Sequence, residues 1–251
     1  MKLYSILTLN FNNYEIMREP EELDEDCEYI YVTDNENLKS DKWTIIVDKE
    51  LAGLSPFEQC FRVRYNLFKY ATTPVCFFMD GSFQIHKSMR KLYEDFMASG
   101  ADVGLHIHYE RTKLLDEYNA WIFGRKYPIE QANKCINWMK EQGYDFDYQG
   151  LYECSFRICK NTELNKRIDG MTLFALNKFR TNNDIERLDQ TIYSFILNRY
   201  FNDKKVFGIS PSYFYTGILS HCAHNSKMKL PNLTKYDTEG YVFNKLVSLY
   251  K

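Results

Sequence analysis

The feature that most restricts the fold is a run of five apolar residues, Val75-Cys76-Phe77-Phe78-Met79, that passes without transition into Asp80-Gly81-Ser82. A strand with one wet face alternates polar and apolar side chains. An unbroken apolar run predicts a strand covered on both faces, the situation of a mostly parallel sheet sandwiched by helices. In open sheets of that kind, ligands sit beyond the carboxyl ends of the strands. Asp80 and Gly81 are therefore expected at a ligand-binding rim.

The remaining elements fit the same plan. Strands are predicted over residues 2–9, 28–33, 43–47, 103–108, 150–159 and 206–209, with a short alternating stretch at 83–85. Helices are predicted over 55–70, 87–98, 113–123, 128–142, 161–179 and 188–198, with a short last helix at 241–250. Ser55, Pro56 and Glu58 mark a helix start: serine caps free N–H groups, proline suits the first turn, and an acid three residues on completes the cap. Gly100 marks a helix stop. Strands and helices alternate through the first 110 residues, so the expected class is α/β, with a Rossmann-like, mostly parallel central sheet flanked by helices. Nothing divides the chain. A single domain over 1–251 is expected, with a first half to 110, a more helical half over 111–220 and a polar, basic tail over 221–251.

Composition excludes some functions. A net charge of −2 does not supply the broad basic surface that nucleic-acid binding requires. Aromatic residues make up 16% of the chain; most are expected in the core, and some rings are suited to stack on bases or sugar faces in a groove. The seven cysteines are scattered, odd in number and without a Cys-x-x-Cys pair, which predicts reduced thiols in a cytoplasmic protein. Residues 1–13 carry no secretory pattern, and no apolar run reaches the ~18 residues of a membrane span.

Three sets of residues carry candidate chemistry. Asp80, with Gly81 letting a ligand approach the backbone, is placed to hold a divalent cation on a diphosphate; the plainer alternative is a turn-capping acid beside a glycine of positive φ. Arg62 and Arg64, on the preceding helix, can aim a guanidinium at the same rim, or remain solvated. Thr8, Asn10 and Tyr14 after the first strand, with Asp34 and Asn35 after the second, can hydrogen-bond a base and ribose, or serve the turns alone.

Taken in order, these residues resemble the nucleotide-binding half of GT-A glycosyltransferases. More narrowly they resemble the glycosyltransferase-like family of plant mucilage-related proteins and bacterial relatives. The matching residues are Asn13-Tyr14-Glu15, Pro20, Val32-Thr33-Asp34-Asn35, Trp43, Arg62 with Arg64, and Met79-Asp80-Gly81-Ser82. Further on are His108-Tyr109-Glu110-Arg111 with Asp116-Glu117, Gly150-Leu151-Tyr152-Glu153 with Arg157, and Arg187-Leu188-Asp189-Gln190. The stretch from Arg64 to Ser82 is also similar to glycosyltransferase family eight. The chain departs from the usual Asp-x-Asp, because Ser82 stands where the second acid is expected.

The resemblance implies a sugar transferase, leaning to retention of configuration, that uses a nucleotide-sugar donor (a UDP-sugar favoured) and Mn²⁺ or Mg²⁺. The acceptor would be a glycan or a glycolipid met at the membrane surface, in surface-polysaccharide synthesis. It assigns Asp80 to metal or ribose with Ser82 in support, Arg64 and Arg62 to the diphosphate, and Asn10, Tyr14 and Asp34 to the nucleoside. Asp189 and Gln190 go to the donor sugar, and His108, Arg111 and Glu117 to the acceptor side. His224, with Lys227, would close over the diphosphate and serve as a metal ligand. His108 can equally be a structural histidine, and His221 and His224 surface-loop residues. Two rival readings stand beside transfer: a glycoside hydrolase built on a carboxylate pair such as Glu117 and Asp189, and a non-catalytic nucleotide-sugar-binding protein.

Overall fold

The computed structural model describes residues 2–108, 111–123, 129–143, 150–179, 189–201, 205–210, 212–215 and 217–222. The last predicted helix, together with Glu110, Arg187, Leu188, His224 and Lys227, lies outside the described residues.

The centre is a seven-stranded sheet of β1 (Tyr4–Asn10), β2 (Cys27–Thr33), β3 (Thr44–Val47), β4 (Val75–Met79), β6 (Val103–Ile107), β7 (Tyr152–Lys160) and β8 (Val206–Gly208). Their order is β3-β2-β1-β4-β7-β6-β8. β1, β2, β3 and β4 run parallel, as do β6 and β8; β7 is antiparallel to both of its neighbours. The class is α/β with a mostly parallel sheet flanked by helices, as expected. A separate two-stranded ribbon joins β5 (Phe83–Ile85) to β9 (Leu219–His221).

All five residues of β4 are buried. Their side chains divide between the two faces. Cys76 and Phe78 join a cluster packed under α1 (Pro56–Arg64), α4 (Ile129–Glu141), α5 (Glu163–Phe179) and α6 (Asp189–Tyr200). Val75, Phe77 and Met79 join a second cluster with α2 (Arg90–Ser99) and the β5–β9 ribbon. Burial on both sides is what the apolar run required.

Two expectations need correction. The helix predicted over 55–70 does start on its Ser55 cap, whose side chain accepts the Glu58 N–H, but it ends at Arg64, before a short 3₁₀ turn at Leu67–Lys69. In a longer helix the Arg64 carbonyl would accept the Phe68 N–H; here it accepts a hydrogen bond from Arg157 instead. His221, expected on a surface loop, is on a strand: it lies opposite Phe83 in the β5–β9 ladder.

Candidate active site

The parallel strands bring three loops to one rim. Asn10 is level with Thr33, and Leu7 with Phe78, so the residues after β1, β2 and β4 emerge together. After β1 the chain turns through Asn12 and Asn13, both with positive φ (57° and 49°), a conformation asparagine tolerates. Asp34 holds this turn, since both its carboxylate oxygens accept the Asn12 N–H, at 3.0 and 2.9 Å. Asn10 clamps it from below: its amide donates to the Glu15 carbonyl at 2.6 Å and accepts the Glu15 N–H at 2.9 Å. Asn10 and Asp34 therefore shape the loop itself. Outside it is a polar depression of about 400 Å³ lined by Asn12, Asn13, Asp34, Asn35, Glu36 and Asn37. Thr8 is buried, and its hydroxyl has no hydrogen-bond partner among the described residues; Tyr14 is partly exposed.

Arg64, at the last residue of α1, reaches two acids. Its Nη2 is 2.5 Å from Asp80 Oδ1, and its Nη1 donates to Asp189, the first residue of α6. Its Cζ also lies 5.1 Å from the centre of the Phe78 ring. Burial works against its charge, but Asp80 and Asp189 outweigh that and push its pKa further up. Asp189 and Arg64 are nearly enclosed, while Asp80 keeps 30% of its side-chain surface. Gln190 follows, half-buried, on the same turn of α6. Arg62 does not join this group; it pairs with Glu58 at 3.2 Å on the outer face of α1 and is half exposed.

Gly81 does not supply the positive φ of the turn-capping alternative. A Cβ on it would lie 2.8 Å from the Leu9 carbonyl oxygen, so its absence lets the Asp80 turn close onto β1. Its own carbonyl accepts from Arg18 Nη1 at 2.9 Å. Ser82 is buried, with its Oγ 3.1 Å from His221 Nε2, and its carbonyl accepts the Cys222 N–H.

These contacts bear on a metal ion. Asp80 is ion-paired with a guanidinium, and the Ser82 hydroxyl is engaged by a histidine. Among the described residues no group of three or more His, Cys, Asp or Glu side chains converges as a ligand set. The described residues do not fit a divalent-cation site, and no step below runs through one.

A second charged cluster caps β6. The β6–β7 ladder shifts register between Leu105 and His106, which sets His106 opposite Glu153. The same irregular stretch of β7 offers the Ser155 carbonyl to the Asp80 N–H at 2.8 Å, so the cluster and the Asp80 turn share one strand. His106 Nδ1 lies 2.8 Å from Glu153 Oε2. His108 is buried, and its Nδ1 accepts the Arg111 N–H at 3.0 Å. Arg111 Nε is 2.8 Å from Glu117 Oε2, with both side chains largely enclosed. Burial tends to raise the Glu153 pKa, but its hydrogen bond to His106 and the charges of His106, His108 and Arg111 outweigh that and leave it below the usual carboxylate value.

The structure thus joins Arg64, Asp80 and Asp189 directly, and His108, Arg111 and Glu117 directly. Sequence reasoning did not single out His106, Glu153 or the Ser82–His221 contact. Glu153 stood in plain view in Gly-Leu-Tyr-Glu; its partner depends on a register shift that no local pattern announces.

No protein-family model matches the chain, and no curated protein matches it. Among solved structures, it is similar to mouse xyloside xylosyltransferase 1 in its apo form, at 9% identity over 87% of this chain and 97% of that one, with a TM-score of 0.49. It is similar to the galactosyltransferase LgtC with donor and acceptor sugar analogues, at 13% identity over 87% and 86%, with a TM-score of 0.47. It is also similar to the glycosyltransferase GlyE of Streptococcus pneumoniae TIGR4, at 11% identity over 86% of this chain and 47% of that one, with a TM-score of 0.44. All three scores are below 0.5, and the architecture above rests on this chain's own strand order.

Proposed function

We propose that this chain is a GT-A-type glycosyltransferase, akin to the plant mucilage-related family, that moves a sugar from a nucleotide-sugar, a UDP-sugar first, to a glycan or glycolipid acceptor. The observation that carries this reading is the meeting of Asp80, Arg64 and Asp189 at the carboxyl rim of a mostly parallel sheet. Ligands of such sheets bind at that rim.

Arg64 is neutralised by two carboxylates. Its role in this reading is to hold them as a rigid pair of hydrogen-bond acceptors, with the donor sugar's hydroxyls on Asp189 and Gln190 and the ribose on Asp80. Rigid acceptors fix the anomeric carbon relative to an incoming hydroxyl, and fixed geometry is a large part of catalysis. The depression at Asn12, Asn13 and Asn35 takes the base, and Tyr14 and Thr8 are assigned to the nucleoside with it. His108, Arg111 and Glu117, with His106 and Glu153, line the acceptor side. Positive charge for the departing diphosphate falls to His224 and Lys227, since Arg62 is paired with Glu58 away from the rim. Seven free cysteines suit a reducing, cytoplasmic setting, and among the described residues no helix is long and apolar enough to cross a membrane.

A glycosidase would need an acid and a nucleophile facing one bond; Glu117 and Asp189 are instead both engaged by arginines. The engaged Ser82 hydroxyl and the paired Asp80 favour, as a second reading, a nucleotide-sugar-binding protein without turnover.

Thermal unfolding with UDP and with GDP, each with Mn²⁺, Mg²⁺ or EDTA, tests binding, because a ligand of the folded state raises the midpoint. Product formation from a panel of sugar nucleotides tests transfer. A raised midpoint with turnover lost in Asp189→Asn is expected. A raised midpoint without turnover selects the second reading, and no shift with any nucleotide overturns both.

A further inference from the structure

Among the described residues Arg157 heads the fully buried side chains by volume, and it stands in the buried half of β7, between Phe156 and Ile158. A guanidinium is buried only where other groups receive it. Its receivers come from three elements. Asp169 of α5 accepts from Nη1 at 2.8 Å and from Nη2 at 3.2 Å. The main-chain carbonyl of Arg64 accepts from Nη2. The rings of Tyr65 and Tyr193 flank it, with centres 4.7 and 5.1 Å from Cζ.

Those neighbours matter for where they sit. Tyr65 directly follows Arg64, and Tyr193 is one helical turn after Asp189 on α6. The two rings lie 5.8 Å apart, centre to centre. One guanidinium therefore holds the backbone carrying Arg64 and the helix carrying Asp189. It also caps the Arg64 carbonyl in the last turn of α1, where the Asn66 N–H has already turned to the Val63 carbonyl.

We propose that Arg157, with Asp169 as its counter-ion, is a positioning residue: it holds the last turn of α1 by its Arg64 carbonyl and seats the first turn of α6 so that Arg64 and Asp189 meet. Its bearing on sugar transfer rests on the function proposed above; the positioning itself does not. A residue that only filled the core would stabilise the sheet evenly. A positioning residue acts on two segments distant in sequence and leaves the rest unchanged.

The test uses the full chain with Arg157→Met and Arg157→Lys, and with Leu92→Ala as a core control, since Leu92 is buried on α2 against the opposite face of the sheet. Amide hydrogen exchange reads local opening. Arg157→Met is expected to speed exchange about tenfold or more in residues 60–66 and 189–195, with 27–33 unchanged. Arg157→Lys, which keeps one donor for the Arg64 carbonyl, is expected to recover part of that protection. Leu92→Ala is expected to favour neither segment. Turnover by Arg157→Met is expected to fall about ten- to a hundredfold in kcat, with the donor KM within about threefold. Should Arg157→Met not fold, Asp169→Asn is read in the same way. Unchanged exchange in the two segments, or a rise spread over the whole sheet as in the control, overturns the proposal. If the wild-type chain consumes no sugar nucleotide, the transferase reading fails on its own, and the exchange pattern still decides the role of Arg157.

Discussion

Arg64 and Asp189, 125 positions apart in sequence, meet in an ion pair at the end of α1 and the start of α6. Asp80 completes the group from the end of β4. Removing the guanidinium leaves one enclosed carboxylate, Asp189, and one partly solvated, Asp80, without their shared counter-ion. Arg64→Ala is expected to lower stability by about 2–3 kcal/mol, less than a fully buried pair would cost because Asp80 is partly solvated. Arg64→Lys should recover only part, since one ammonium cannot reproduce a two-sided fork. Urea unfolding measures both; an alanine variant as stable as the wild type would remove the ion pairs from the account of this rim.

Gly81 and Gly170 make an opposed pair. A methyl on Gly81 meets a backbone oxygen at 2.8 Å, whereas on Gly170, inside α5, it meets nothing within 4 Å. Gly81→Ala is expected to cost about 1–3 kcal/mol. Gly170→Ala is expected to add up to about 1 kcal/mol, because alanine favours helix over glycine. Thermal midpoints that move in the same direction for both variants would contradict this.

Much of the fold was legible because its signals are local. The apolar pentad gave a doubly covered strand, Ser55 with Pro56 a capped helix, and Gly100, at φ 66°, a helix end. What escaped depends on tertiary partners. The Arg64 carbonyl at the end of α1 is capped by a side chain 93 positions away. β9 exists because β5 offers it an edge, and the direction of β7 leaves no trace in its burial pattern. At the site, the acids and arginines could be named from sequence, but their pairing could not. One clue went unused, a lone Arg157 amid Cys154, Phe156, Ile158 and Cys159, since a charge in an apolar run requires a buried partner.

Glu153 gives a pH signature. Its pKa is depressed in the folded chain, so its contribution to stability is fully present above the ordinary value of 4.5 and is lost as pH falls through the lower folded value. The stability gap between wild type and Glu153→Gln should therefore be widest near neutral pH and narrow as pH drops below 4.5. Denaturant midpoints collected across that range measure it, and a gap that widens in acid would reverse the assignment.

The five buried thiols should be silent in the native chain. Cys27, Cys76, Cys135, Cys154 and Cys159 are free and buried, and burial pushes Cys135 and Cys159 up to about 12. A thiolate-specific reagent at mildly alkaline pH should label these five only on unfolding. Rapid native labelling of any of them would show a more open core.

The antiparallel strand has a kinetic consequence. β7 joins the sheet's first four strands to β6 and β8, and it supplies the carbonyl that receives the Asp80 N–H. A nascent chain that has emerged only through β4 has the Asp80 loop but neither that acceptor nor Asp189. Closure over such long sequence separations is slow. Refolding should therefore show early protection in β1 and β2, with protection around Asp80 and at the start of α6 returning only in the slowest phase.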